Sequence, residues 1–328
     1  MEDILLSVSC TSYNHEKYIK DALDGFLNQK VNFRYEILVH DDASTDKTTQ
    51  IIKEYEKKHP EIIKPIFQTQ NQYSKGKQIH YCFNHTRAKG KYIAWCEGDD
   101  YWIDLNKLQK QVDYLEKNPN CSICCHGSNA INEDSKITER ITPFHRGTLF
   151  SLVDLLEKNI TFSTATICYR KKLLDNVPSF YYDCPVGDVP LKMFLLEKGY
   201  GYYLPEIMAV YRKNITGSWT DRFDNNHKKS IAHQKEMITF LRQFNEHFNH
   251  KYETAINTYI QKKENLILIH ASLMDYSNRK TSEFSPLYRQ LNTIEKLSLF
   301  LRCKLPWFFE GVKKVTYDTK HILEKMFD

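Results

Sequence analysis

Short apolar runs of strand length alternate with amphipathic stretches of helical period along the first 126 residues of the chain. The strand-like runs lie at 4–10, 35–39, 62–67, 92–96 and 122–125. The helical stretches lie at 18–27, 51–55 and 105–115. This alternation predicts an α/β fold with a mostly parallel central sheet flanked by helices on both faces. In such folds, ligands bind at the carboxyl ends of the strands.

The pattern changes twice farther along the chain. From about 145 to 220 strand-like and helical stretches are mixed, and we interpret this part as completion of the same domain. Strand candidates lie at 164–169 and 202–204, and helical stretches lie at 150–158 and 188–198. After about residue 222 glycine becomes rare and helical periodicity dominates. We therefore predict an α/β domain over 1–220 and a helical C-terminal region over 221–328.

Composition and charge exclude several classes of protein. Hydrophobic residues make up 41% of the chain and charged residues 27%, which excludes long disorder and a collagen-like repeat. The 46 Lys and Arg exceed the 41 Asp and Glu by too little to indicate nucleic-acid binding. Because we find neither a secretory signal nor an apolar run of membrane-spanning length, we expect a cytoplasmic protein that does not span a membrane.

The nine cysteines are scattered along the chain, and several lie inside apolar runs, as reduced buried thiols do. Cys121, Cys124, Cys125 and His126 form a zinc-like CxxC cluster, but no second CxxC or HxxxH follows at finger spacing. We favour a buried strand here and keep structural zinc as the alternative.

Acidic residues follow the predicted strands at three places: Asp41 with Asp42, Asp99 with Asp100, and Asp188. Neighbouring carboxylates repel one another when buried, and a divalent cation with oxygen ligands removes that cost. The pattern indicates a cation-binding cleft that suits a metal diphosphate. The alternative is a solvated acidic turn in which Asp99 or Asp100 caps the next helix.

Several well-known site motifs are absent from the sequence. No GxGxxG follows the first strand, and no GxxxxGK[ST] occurs, which speaks against a Rossmann dehydrogenase and a P-loop NTPase. The chain has neither GxSxG nor HExxH, so a common serine hydrolase or a zincin is not supported.

Three segments, 8–16, 40–46 and 88–100, resemble the inverting family 2 glycosyltransferases of the GT-A (nucleotide-diphospho-sugar transferase) fold in sequence, order and spacing. The likeness is dense over 4–126 and thinner to about 220. It implies a half that binds the nucleotide sugar at 1–126 and an acceptor half at 127–220.

The resemblance implies a role for each matching residue. Thr11 and Tyr13 would line the nucleotide pocket, and Asp42 would accept a hydrogen bond from the base. Asp99 would lie near the ribose or the sugar, and Asp100 would hold a Mg²⁺ or Mn²⁺ ion that neutralises the departing diphosphate. Tyr13 as a core aromatic residue, and Asp42 as a turn former bonded to the backbone of 43–45, remain open alternatives.

Asp188 matches the position of the catalytic base in related enzymes. Inversion needs a carboxylate on the acceptor side that takes the hydroxyl proton as C1 of the sugar develops oxocarbenium character. The alternative is that Asp188 caps the following helix, which has Pro190 in its first turn.

The sequence also departs from the family pattern. The contact to the donor phosphates falls on Arg87 or Lys77, because an Ala-Arg-Asn triplet is missing. Asn214 stands where relatives often carry a histidine, so metal ligands beyond Asp100 are open. Since QxxRW and membrane spans are absent, we expect addition of a single sugar. Trp219 either lies beside the acceptor or closes the domain as a buried residue.

The expected partners are a nucleotide-diphosphate sugar, with UDP favoured, and a saccharide or lipid-linked oligosaccharide acceptor, as in bacterial surface polysaccharide or glycoconjugate synthesis. Basic and aromatic residues at 297–327 suit peripheral contact with the inner face of the cell membrane, or packing on the domain or on a second copy in a homodimer. The rival functions are a nucleotidyltransferase of related fold and a non-catalytic sugar-binding or scaffold protein.

Overall fold

The computed structural model describes residues 3–213, 215 and 226–306. Within them the strands are β1 Leu6–Ser12, β2 Tyr35–Asp41, β3 Ile63–Phe67, β4 Tyr92–Trp95, β5 Tyr101–Trp102, β6 Cys121–Ile131, β7 Ile137–Ile141, β8 Thr148–Phe150, β9 Cys168–Arg170 and β10 Tyr200–Arg212. The helices are α1 Ile19–Leu27, α2 Thr48–Lys58, α3 Lys107–Lys117, α4 Leu152–Glu157, α5 Asp188–Glu197, α6 His227–His247, α7 Glu253–Met274, α8 Ser285–Gln290 and α9 Thr293–Lys304.

The strands form one ten-stranded sheet whose main path is β3-β2-β1-β4-β9-β6-β10-β5. The four strands from β3 to β4 are parallel, and β6 is parallel to β10. The short strand β9 runs antiparallel between β4 and β6 and joins the two parallel groups. The predicted α/β fold with a largely parallel centre is confirmed, and its second half is mixed.

Two of the predicted strands differ in extent from those of the structure. The segment predicted at 164–169 is a 3₁₀ turn at Thr164–Thr166 followed by β9. The run predicted at 202–204 is the middle of β10, which continues past Pro205 to Arg212 through register shifts against β6. The cysteine-rich segment 121–126 lies in buried strand β6, as predicted.

The C-terminal helices α6 and α7 pack on the helices that follow the sheet. Phe194 of α5 meets Phe244 of α6 edge to face at 5.2 Å, and both belong to the hydrophobic cluster that includes β6. Lys262 of α7 donates from Nζ to the carbonyl of Leu156 at 3.0 Å, at the end of α4. Helix α5, which begins at Asp188, is therefore held between the sheet and these helices.

A buried polar network joins the π-helical turn His80–His85 to the sheet. The Nδ1 atom of His80 lies 2.7 Å from the Ser9 hydroxyl, and its Nε2 atom lies 3.0 Å from the Tyr169 hydroxyl. The same Tyr169 hydroxyl lies 2.9 Å from Nδ1 of His85, and the Asn84 amide donates to Ser9 at 3.0 Å. These bonds satisfy polar groups that burial would otherwise leave without partners.

The two buried histidines of this turn are expected to make the fold sensitive to acid. Burial lowers the pKa of His80 well below its ordinary value, and burial with the Lys171 ammonium lowers the pKa of His85 to about 4. Both rings are neutral in the folded protein, whereas in the unfolded chain they take up protons below about pH 6.5. The stability they contribute is present above about pH 6.5 and is lost as pH falls toward about 4.

Urea unfolding measured between about pH 7 and pH 5 checks this. In His85→Gln the loss of unfolding free energy over this interval should be smaller than in the wild type. His145→Gln replaces an exposed histidine and should keep the wild-type loss. An equal loss in all three proteins would show that His85 stays protonated or contributes nothing.

Candidate active site

The loop after β4 brings together three carboxyl groups. Glu97, Asp99 and Asp100 each offer an oxygen, and these atoms lie within 4.8 Å of one another. Asp100 is fully buried, and its Oδ1 atom accepts a hydrogen bond from the backbone N–H of Arg212 at 2.8 Å. Its Oδ2 atom is buried without a hydrogen-bond partner. Asp100 therefore presents one unsatisfied carboxylate oxygen to the cluster.

Gly98 lets this loop pack closely, because a side chain there would displace three neighbouring side chains. A Cβ atom there would lie 2.9 Å from Ile19 Cδ1 and 3.0 Å from His15 Nδ1 and Ser12 Oγ. The Gly98 N–H donates to the Thr11 carbonyl at 2.8 Å. This close approach holds the acidic loop against the end of β1.

Burial and the neighbouring carboxyl groups raise the pKa of two members of the cluster, Glu97 and Asp100. Burial, then Asp99 and Asp188, raise the pKa of Glu97 to about 8. Burial, with Asp99 and Glu97 adding to it, raises the pKa of Asp100 well above its ordinary value. Within the described residues, no other group of three His, Cys, Asp or Glu side chains converges in this way. A divalent cation with oxygen ligands would remove the repulsion and satisfy the free Asp100 oxygen, so the cluster fits Mg²⁺ or Mn²⁺.

Arg212, the last residue of β10, fixes the acidic loop from the other side. Its guanidinium donates to the Asp99 carbonyl at 2.6 Å and to the Asp21 carboxylate. It also lies over the rings of Tyr18 and Tyr101, at 4.8 and 4.6 Å from their centroids. The sequence gives no local signal for this role, because Arg212 and Asp100 are 112 positions apart.

Asp188 is the first residue of α5, and the preceding Gly187 occupies the cap position without a side-chain hydrogen bond. The Asp188 carboxylate is half-buried and accepts a hydrogen bond from Lys192 Nζ at 2.7 Å. Burial raises its pKa, but the Lys192 ammonium and the backbone N–H groups of Asp188 and Val189 together more than offset this, so the pKa of Asp188 lies below its ordinary value. Asp188 is thus ionised at neutral pH.

Asp188 interacts electrostatically with the acidic cluster. The Asp188 charge contributes to the raised pKa of Glu97, as stated above. Besides burial, the carboxylates that raise the pKa of the Tyr211 phenol are those of Asp100, Glu97, Asp99 and Asp188. These shared electrostatic interactions indicate that Asp188 lies near Asp99 and Asp100.

Lys192 is a further site residue that sequence reasoning missed. Its ammonium also donates to the Phe162 carbonyl at 3.1 Å and lies 4.5 Å from the centroid of the Phe162 ring. An Asp and a Lys four positions apart on a predicted helix form an ion pair, so the spacing of Asp188 and Lys192 was an available signal.

The loops after β1 and β2 are tied to each other. The side chain of Ser44 accepts from the Asn14 N–H at 3.0 Å, and the Asn14 side chain accepts from the Thr45 N–H at 2.8 Å. Thr48 accepts from the His15 N–H at 2.8 Å. The polar residues of these motifs thus build the rim on which Thr11 and Tyr13 lie, with Tyr13 exposed and Thr11 half-buried.

Asp42 lies at the same edge, directly after β2. Its two carboxylate oxygens accept from the backbone N–H groups of Gln72 and Tyr73, at 2.8 and 3.0 Å. The carboxylate that accepts the hydrogen bond from the Ser44 N–H in the turn is that of Asp41, at 3.2 Å. Asp42 therefore links β2 to the segment that begins at Gln72 and is not the turn former for 43–45.

The structure does not direct Arg87 toward the acidic cluster. Its guanidinium donates to the carbonyls of Lys64 and Val39, at 2.8 and 3.1 Å, and to the Asn84 side chain at 2.9 Å. Lys77, the other candidate for the donor phosphates, is exposed. The positions 214 and 219, singled out in the sequence, lie outside the described residues.

The sheet order and the acidic loop at the end of β4 define a protein of the GT-A fold. A family model, Glycosyl transferase family 2, matches residues 7–177, which is more than half of the chain. The chain belongs to this family.

Similar proteins agree with this assignment. An uncharacterized protein of Mycobacterium tuberculosis is 37% identical over 229 residues, covering 68% of this chain and 63% of that protein. The Escherichia coli enzyme UDP-Glc:alpha-D-GlcNAc-diphosphoundecaprenol beta-1,3-glucosyltransferase WfgD is 31% identical over 44% of this chain and 53% of its own length. The match to the first of these thus spans less than two thirds of that protein's length.

A solved structure supports the fold. The mannosyltransferase PcManGT of Pyrobaculum calidifontis, in complex with GDP-Man and Mn²⁺, superimposes with a TM-score of 0.56. The alignment covers 96% of this chain and 88% of that protein at 14% identity. Within the described residues, no helix combines the length and the apolar character needed to cross a membrane.

Proposed function

We propose that this glycosyltransferase transfers a single sugar, with inversion, from a nucleotide-diphosphate sugar to a saccharide acceptor. UDP-sugars are the favoured donors, as in the name of the E. coli relative, and surface polysaccharide or glycoconjugate synthesis is the proposed setting. The observation that carries the proposal is the acidic cluster after β4 together with the ionised Asp188 beside it.

Asp100 would hold the cation in this scheme, with Glu97 and Asp99 beside it. The buried Oδ2 atom of Asp100 has no hydrogen-bond partner, and one oxygen from each of Glu97, Asp99 and Asp100 lies within 4.8 Å of the others. A bound Mg²⁺ or Mn²⁺ would supply charge stabilisation for the diphosphate leaving group. The Mn²⁺ in the solved mannosyltransferase complex supports this choice of ion.

Asp188 would act as the general base. Its carboxylate is charged at neutral pH, and besides its bonds to Lys192 and the backbone it keeps lone pairs that can accept from an acceptor hydroxyl. As the acceptor oxygen bonds to C1 of the sugar, the C1–O bond to the diphosphate breaks, and its electron pair leaves with the diphosphate. The hydroxyl proton passes to Asp188. Attack from the face opposite the leaving group inverts C1.

Thr11, Tyr13 and Asp42 would form the nucleoside pocket, with Asp99 near the ribose or the sugar. Asp42 already accepts two backbone N–H groups, but a carboxylate has about four lone-pair sites and can also accept from a uracil imide. For the donor phosphates we favour the exposed Lys77 over Arg87, whose guanidinium already donates to backbone carbonyls. Trp219 remains our candidate for the acceptor side.

A donor panel tests the proposed function. UDP-, GDP- and CDP-sugars are each incubated with a saccharide acceptor, without metal and with Mg²⁺ or Mn²⁺, and NMR of the product identifies the anomeric configuration. Parallel reactions contain a nucleoside triphosphate and a sugar 1-phosphate. We expect metal-dependent transfer from a UDP-sugar with inversion at C1. Consumption of a nucleoside triphosphate with release of pyrophosphate would indicate a nucleotidyltransferase instead. Absence of both transfer and donor hydrolysis with every metal would indicate a binding protein.

Lys192→Met is expected to lower kcat at neutral pH while leaving the donor dissociation constant unchanged. The ammonium lowers the pKa of Asp188, so its loss raises that pKa, and the base becomes protonated at higher pH. The acid limb of the kcat profile should therefore move to higher pH. Because the Lys192 hydrogen bond also orients the Asp188 carboxylate, its loss should lower kcat by about tenfold at neutral pH.

The matched control is Lys158→Met. Lys158 pairs with Asp154 at the same i,i+4 spacing and the same 2.7 Å distance, on a helix that does not carry the acidic site. This variant should keep the wild-type kcat and pH profile. If Lys192→Met gives a profile that superimposes on the wild type, the ammonium does not set the state of Asp188.

A further inference from the structure

Helix α9 presents an apolar face to solvent. Its inward side is anchored by Leu299, which is buried. The large apolar residues on the outward side recur at helical spacing and are exposed to the extent of 79% for Ile294, 56% for Leu297, 41% for Phe300 and 37% for Leu305, directly after the helix. A contiguous exposed apolar face of this kind marks an interaction surface.

The segment that carries this face is strongly basic. Residues 276–305 contain six Lys or Arg and two Glu, which leaves four positive charges in excess, against +5 for the whole chain. Both acids are already engaged, because Glu283 pairs with Lys235 at 2.7 Å and Glu295 caps α9 with Asn292. Nearly all of the chain's net charge therefore lies in the segment that exposes the apolar face.

Aromatic rings lie among the basic groups. The ammonium of Lys296 lies 5.5 Å from the centroid of the Tyr288 ring, and that of Lys304 lies 5.3 Å from the Tyr276 ring. Basic and aromatic side chains beside an apolar helical face are the combination found in helices that lie in the plane of a membrane interface.

We propose that the α8–α9 segment, residues 276–305, docks on an anionic lipid bilayer, with the apolar face of α9 in the headgroup region and the basic residues against lipid phosphates. A second copy of the chain is a poorer occupant of this face, because a symmetric dimer would bring two surfaces of like charge together. The inference does not depend on the proposed reaction.

Co-sedimentation of the full chain with vesicles tests the proposal. The vesicles are phosphatidylcholine alone, or phosphatidylcholine and phosphatidylglycerol in equal parts. We expect binding to the anionic vesicles that exceeds binding to the neutral ones by about tenfold or more and weakens as salt is added. Equal binding to both kinds of vesicle, or none to the anionic ones, would overturn the proposal.

Two variants separate the contributions of the apolar face and the charge. Ile294→Gln with Leu297→Gln should weaken binding to anionic vesicles by about tenfold or more, because both side chains lose their apolar contact with lipid. Lys280→Gln with Arg289→Gln should also weaken it by about tenfold or more and should reduce its salt dependence. All four of these side chains are exposed.

Matched controls lie elsewhere on the surface. Ile137→Gln removes an apolar residue with the same 56% exposure as Leu297. Lys57→Gln with Lys117→Gln makes the same change of charge on two other helices. Both controls should bind vesicles as the wild type does. Wild-type binding by the Ile294→Gln, Leu297→Gln variant would refute the role of α9, as would a concentration-dependent dimer that this variant abolishes.

Discussion

Asp188→Asn is expected to lower kcat by about 10²–10⁴-fold while leaving donor binding within about twofold of the wild type. The amide cannot take the proton of the acceptor hydroxyl, whereas the carboxyl groups after β4, which we propose hold the cation and the donor, are unchanged. Single-turnover transfer from a UDP-sugar and calorimetric titration with UDP and Mn²⁺ measure the two quantities separately.

The matched control for this variant is Asp154→Asn. Asp154 and Asp188 are each in the first turn of a helix, each pairs with a lysine four positions later at 2.7 Å, and each side chain is 30% exposed. Asp154→Asn should turn over normally, apart from a small loss of stability because it belongs to the cap of α4. Normal turnover by Asp188→Asn would place the base elsewhere, even if the protein remains a glycosyltransferase.

Asp100→Asn is expected to make the metal-free protein more stable and to reduce the stabilisation that Mn²⁺ and UDP provide. In the metal-free protein it removes a buried carboxyl group whose pKa is raised by burial and by Asp99 and Glu97. The metal-free variant should therefore be more stable than the wild type by about 1–3 kcal/mol at pH near 8. With Mn²⁺ and UDP present, the wild type should gain stability and the variant should gain little.

Thermal unfolding with and without Mn²⁺ and UDP measures both effects. The side-chain amide of Asp100→Asn would keep an oxygen for the Arg212 N–H but would lose the charge that a cation requires, so the bond that places the loop survives. Asp113→Asn, an exposed change on α3, should behave as the wild type in both states. A destabilised metal-free variant that still responds fully to Mn²⁺ would show that Asp100 is a structural residue.

Much of the sheet could be predicted because its strands are local apolar runs with helices between them. The strands from β1 to β4 lie where the apolar pattern places them. Strand β9 was harder to place. It runs antiparallel between β4 and β6, and its three residues are too few to show an alternation of apolar and polar positions. The full length of β10 could not be predicted, because Pro205 interrupts the apolar pattern of the strand. The register against β6 also shifts at this point.

The acidic cluster was predictable because its members are neighbours in the sequence. The side chains that hold it in place were not, since Arg212 and Asp100 meet only after β10 has crossed the sheet. The hydrogen bonds of Asp42 could not be predicted either, because its partners Gln72 and Tyr73 are about thirty residues away in the sequence. Lys192 is the exception, since its pairing with Asp188 follows from helical spacing alone.

The most direct test of a single cation shared by these carboxylates is anomalous scattering from Mn²⁺ in crystals grown with UDP. We expect one strong peak in contact with the Asp100 carboxylate, on the side of the loop that faces Asp188, with the UDP diphosphate beside it. Crystals in which UDP is bound and the Mn²⁺ peak lies away from Asp99 and Asp100 would contradict the proposed site.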